Sequence, residues 1–166
     1  MVLLTEGLLI WLHLVAASIW VGGSIFLGVV LSPMLRTITR TVEERMVILI
    51  KVGRRFSYIA IPSFGVLILT GVYNSQSFLF EPTTLYQTNY GVILAKIILV
   101  VATLIAYILH IRIIGSETET RIVTGNASNT YIQSIRSKII FLGRAIVVLS
   151  ILILLLAAFL DVGGLV

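Results

Sequence analysis

Residues 7–31 read GLLIWLHLVAASIWVGGSIFLGVVL, an apolar run without a single Asp, Glu, Lys or Arg. At ~1.5 Å rise per residue, a helix of this length crosses the ~30 Å hydrocarbon core of a bilayer. In lipid each backbone amide must be satisfied within the spanning structure, so a continuous run of this kind is expected to fold as a membrane-spanning helix. His13, Ala16, Ala17, Trp20 and Ser24 recur at helical spacing inside it. One face therefore carries an imidazole, an indole and small side chains that let another helix approach closely. An ionisable ring within a span is a candidate functional group by default.

The remainder of the chain extends the same constraint. Of 166 residues, 58% are hydrophobic and only 11% charged, with a mean hydropathy of +1.11. A soluble domain carries about 25% charged residues, so the composition is that of an integral membrane protein. Further apolar spans are expected at about 56–73, 90–114 and 139–160. Together with 7–31 they predict an all-α, four-helix transmembrane bundle forming one domain over residues 1–166. Pro33 is expected to end the first helix. Thr41 and Glu44 form a capping-box pattern that predicts a short amphipathic helix between the first two spans. Its Val42, Met46 and Ile50 would then lie on the membrane surface. Pro62 is expected to kink the second span, with Ser57, Ser63 or Thr70 satisfying freed backbone groups. Residues 74–89 and 115–137 read as loops. The glycosylation-type triplet Asn126-Ala127-Ser128 falls on the inner side and is set aside.

Charge fixes the expected orientation. The stretch after the first span holds Arg36, Arg40, Arg45, Lys51, Arg54 and Arg55, and the stretch after the third holds Arg112, Arg121, Arg136 and Lys138. The opposite loops hold no Lys or Arg but contain Glu6, Glu81 and Asp161. The positive-inside rule then places both termini outside the cell and both basic stretches in the cytoplasm, as in a multi-pass plasma-membrane protein. This asymmetry accounts for the net charge of +5 without any nucleic-acid partner. The opening MVLLTEG has no Lys or Arg ahead of its apolar run and does not read as a signal peptide. The absence of cysteine excludes disulfides, thiolate copper sites and iron–sulfur ligation. Phosphate loops, Ser–His–Asp sets and zinc motifs are also lacking.

Converting residue number to depth sorts the polar groups. His13 and Lys96 each fall ~9 Å below the outer ends of the first and third spans, whereas His110 falls ~20 Å deeper than either. Metal–imidazole bonds are ~2 Å long, so no one metal or haem iron is held by both histidines. His13 and Lys96 can share a site, and the space between their helices would admit a flat ring or an ion. Lys96, Val100, Thr103, Tyr107 and His110 recur at spacings of four, three, four and three, a polar stripe expected to face inward. Plainer roles stay open for each group. His13 would serve as a structural hydrogen-bond donor, Lys96 would snorkel towards Glu81 or Asp161, and His110 would lie at the interface. Arg144 would snorkel in the same way, or hold an anionic group such as a porphyrin propionate.

Several motifs carry a family resemblance. Leu12-His13-Leu14, Trp20-Val21-Gly22-Gly23 and Leu31-Ser32-Pro33 resemble the first helix of the CopD-like copper-resistance family. Arg55-Phe56-Ser57, Pro62 and Leu69-Thr70-Gly71-Val72-Tyr73-Asn74 resemble its second helix, and Tyr90-Gly91 with Lys96 its third. That family is similar to the HemJ-type protoporphyrinogen oxidases, small four-helix proteins associated with haem b. The resemblance implies haem b held through His13 and Lys96, with Trp20 and Tyr107 against the ring and Arg144 on a propionate. The expected role is membrane electron transfer, with a quinone or another membrane redox subunit as partner and a homo-oligomer as a further possibility. The alternatives are a copper permease with His13 and Lys96 at the metal, a protoporphyrinogen oxidase, and a non-catalytic helper subunit of a respiratory complex.

Overall fold

The structure is a computed structural model. It describes residues 2–74 and 90–161, with side chains for 4–74 and 91–159. Among the described residues every regular element is helical. α1 (Val2–Ile25) passes through a π-helical segment (Phe26–Leu31) into α2 (Ser32–Ile38). It is followed by α3 (Val42–Asn74), α4 (Tyr90–Ile113), α5 (Ser116–Val123) and α6 (Asn129–Asp161). Among the described residues, four stretches are long and apolar enough to cross a membrane: Leu4–Ile38, Val42–Asn74, Gly91–Val123 and Asn129–Phe159. Large apolar side chains stand outward from them, Leu4 and Leu69 each 74% exposed. Such a surface suits lipid and would be an aggregation liability in water. The loop expected at 74–89 falls outside the described residues except for Asn74, which closes α3.

Four local expectations are corrected by the structure. Pro33 does not end the first helix. The turn before it widens, with the Ser32 amide donating five residues back to the Leu27 carbonyl. Pro33 then sits in the first turn of α2, where its missing N–H costs least. A π-turn thus takes up the misfit that sequence alone reads as a stop.

The helix starting after Thr41 is not a short surface helix. Its cap forms as expected, the Glu44 amide donating to Thr41 Oγ1 at 3.1 Å and the Arg40 amide to Glu44 Oε2 at 3.0 Å. From there α3 runs for 33 residues through Pro62, roughly 50 Å. Met46 and Ile50 are fully buried against Ile114, Ile122, Ile132, Ile135 and Ile139 rather than laid on lipid. Helical spacing reveals an apolar face but not whether lipid or protein covers it. Ser57, Ser63 and Thr70 each donate to the carbonyl four residues back, so none reaches the Tyr58 carbonyl that Pro62 leaves without its amide.

Residues 115–137 are largely helical. Glu117 and Glu119 stand in the first turn of α5 and Arg121 in its last, each complementing the helix dipole. Gly125 then turns the chain with φ at +72°, a conformation that glycine adopts without penalty. The hydroxyl of Ser128 accepts the Tyr131 amide at 3.2 Å and caps α6.

The long helices form two pairs, α1 with α3 and α4 with α6, joined mainly through α1 and α6. Two cores result. Trp20, Val21, Ala60, Phe64, Tyr107 and Ile146 fill the first, between the spans. The second, around Met46 and Ile50, lies on the basic side, beyond the ~30 Å that measures the lipid core from the far ends of α3 and α6. There Arg54 Nη2 meets Glu119 Oε2 at 2.5 Å and Lys51 Nζ meets Oε1 at 3.5 Å, tying α5 to α3.

Candidate functional site

The inner faces of α1 and α4 are those expected from helical spacing. On α1, Ala16 and Trp20 are buried and His13, Ala17 and Ser24 half-buried; on α4, Thr103 and Tyr107 are buried and Lys96, Val100 and His110 half-buried.

At the end away from the basic side, His13 Nδ1 lies 2.6 Å from Thr70 Oγ1. Thr70 donates its single hydroxyl proton to the Val66 carbonyl at 2.6 Å. With that proton committed, the oxygen accepts from the ring, so a neutral imidazole here carries its proton on Nδ1 and its lone pair on Nε2. The imidazole lies along the Thr70–Gly71 step of α3, and a Cβ on Gly71 would stand 3.6 Å from His13 Cε1. Lys96, on α4, is within Coulombic range of the ring. The structure thus brings His13, Thr70 and Lys96 to one level from three helices. Among the described residues, no three His, Cys, Asp or Glu side chains converge to hold a metal.

Trp20 sits about two turns deeper and closes the interior. Its Nε1 donates to Ser150 Oγ on α6 at 3.0 Å. Its ring meets Phe64 of α3 at 4.5 Å and Tyr107 of α4 edge-on at 4.8 Å. One residue therefore touches the three other long helices. The Tyr107 hydroxyl is buried near Ser57 and has no hydrogen-bond partner among the described residues. His110 is deeper again, near Gly143 of α6, its buried Nδ1 without a hydrogen-bond partner among the described residues. Arg144 is exposed on α6, ~25 Å from its outer end and well below His13.

Thr70 is the site residue that sequence reasoning did not pair with His13. A depth count along α3 would have found it, since Thr70 lies ~6 Å below the outer end and His13 ~9 Å below the end of its own span.

Fold and site together define a four-helix membrane protein with an imidazole and a lysine at one level of its interior. Residues 50–160 match the model of copper resistance protein D, and the chain belongs to that CopD family. The match takes in Thr70, Lys96, Tyr107, His110 and Arg144 and begins after His13 and Trp20. The chain is also similar to the copper transport protein CutJ of Bacillus subtilis (strain 168), 33% identical over 120 residues. Those residues make up 71% of this chain but only 21% of that relative. No solved structure matches the chain.

Proposed function

We propose that the chain is a copper-handling membrane module that passes copper across the bilayer, with His13 Nε2 as its first ligand. The reading rests above all on the His13–Thr70 hydrogen bond, which leaves an imidazole lone pair bare near one end of a bundle belonging to a copper-resistance family. Imidazole is a fitting donor for copper, and a fixed ring orientation raises its competence as a ligand. The expected haem b, electron-transfer role and redox partner drew on the resemblance to HemJ-type oxidases. The family and the relative both carry copper in their names, which moves the reading to the copper alternative.

Lys96 gives the site its transport character. A cation bound at His13 is repelled by the nearby ammonium, which shortens its stay, and conduction needs binding that is also easily undone. A resident metal would demand more ligands; a passing one needs a station. The paired carboxylates and thiolates of a storage site are not required for this role.

The test is copper accumulation in cells that express the chain, compared with His13→Ala and Thr70→Val at equal membrane levels. His13→Ala is expected to abolish the chain-dependent change. Thr70→Val frees the tautomer and is expected to reduce the change severalfold. Accumulation that is indifferent to His13 would overturn the reading.

A further inference from the structure

A second feature lies on the basic side, remote from His13. Between the π-helical segment and α3 a groove of about 400 Å³ opens outward, lined by Gly23, Phe26, Leu27, Val52, Phe56 and Ile59, with Lys51 and Arg55 at its rim. Its volume is within the ~300–1,000 Å³ range of small-molecule sites. The local structure builds it. Gly23 has no side chain, so the Phe56 ring seats directly against α1; a Cβ there would overlap the ring. The widened π-turn begins at Phe26, immediately beyond, and sets Phe26 and Leu27 along the groove wall. Phe26 and Ile59 are both more than half exposed, so the groove faces the surrounding lipid rather than the bundle interior.

Depth and charge define what fits. Counting from Asn74, Ile59 lies ~22 Å and Arg55 ~28 Å below the outer end of α3, against a hydrocarbon core of ~30 Å. Ile59 and Phe56, the latter ~27 Å down, therefore lie in the acyl region of one leaflet, with Arg55 at its boundary and Val52 (~33 Å) and Lys51 (~34 Å) at its headgroups. Among the described residues Arg55 makes no ion pair. The Lys51 side chain is 59% exposed and only loosely paired with Glu119 at 3.5 Å. Glu119, the acid paired with Lys51, is already held by Arg54, so the rim keeps an excess of positive charge.

We propose that this groove is a binding site for one anionic phospholipid of the leaflet on the basic side. The phosphate sits between Arg55 and Lys51. One acyl chain follows Leu27, Phe26, Phe56 and Ile59. A zwitterionic lipid of the same chain length matches the floor but not the rim.

The experiment uses the full chain in nanodiscs containing equal phosphatidylglycerol and phosphatidylcholine of matched acyl chains, with native mass spectrometry counting the lipid retained. One phosphatidylglycerol is expected to be retained in preference to phosphatidylcholine. Lys51→Gln with Arg55→Gln is expected to cut that preference about 25-fold, since each basic residue near an anionic surface contributes about fivefold. Ile59→Trp, a change at an exposed position that fills the floor, is expected to lower retention of both lipids. Arg136→Gln with Lys138→Gln, a basic pair on the same side but outside the groove, is expected to leave retention unchanged. Equal retention of the two lipids in the unaltered chain would overturn the proposal. So would an equal loss from the Arg136 and Lys138 pair, which would mean a diffuse basic belt rather than a site.

Discussion

Among the described glycines, the closest approach by another side chain is at Gly23. Gly23 lets the Phe56 ring lie on the α1 backbone, and even one methyl group would displace it. Forcing extra volume into such a contact costs about 1–3 kcal/mol. Gly23→Ala should therefore lower the thermal midpoint measured in detergent by several degrees, and Phe56→Leu placed with it should recover most of the loss. If Gly23→Ala unfolds at the unaltered temperature, the contact is not close-packed in solution. His13 shows the complementary limit of reading single residues. Its candidacy and its level alongside Lys96 follow from the sequence, because an imidazole in a span and a fixed rise per residue are enough. Its tautomer does not follow. That depends on where Thr70 sends its own proton, which only the helix geometry reveals.

At the scale of elements, the four spans were legible because lipid imposes continuous apolar runs, and their inward faces because helical spacing sorts polar from apolar positions. The ends were not. α1 continues past Pro33 because a π-turn absorbs the missing donor, and α3 begins at the expected cap yet extends unbroken into the span. Neither outcome has a signature in residue type. The region read as a loop over 115–137 conceals α5 and the start of α6 because its Ser, Thr and Asn are mostly surface and cap residues. The cap is open to test. Ser128→Ala removes the acceptor of the Tyr131 amide and should cost about 1 kcal/mol. Gly125→Ala forces a positive φ on an L-residue, at a similar cost of about 1–2 kcal/mol. Both losses should appear in the unfolding of the basic-side core, read by faster amide hydrogen exchange in α5 and the first turns of α6. Exchange unchanged in both variants would mean that packing alone sets this boundary.

For the whole molecule, orientation decides how the two ends are used. Ten of the twelve Lys and Arg residues gather towards one end of the bundle, where the second core lies, while His13, Thr70 and Lys96 are near the other. Translocation of short loops is opposed by Lys and Arg, so this side should remain in the cytoplasm. A cation arriving from outside would then meet the His13 station first, which is the order that uptake requires. The chain has no cysteine, so single substitutions report on topology without a background. Glu6→Cys, exposed near the start of α1, should react with a membrane-impermeant thiol reagent on intact cells. Thr124→Cys, exposed between α5 and α6, should react only after the membrane is opened. The reverse pattern would put His13 on the cytoplasmic side and turn the same station into an exit, so that His13→Ala would raise cellular copper rather than lower it. Labelling and copper measurement on the same cells therefore fix the direction of transport independently of its existence.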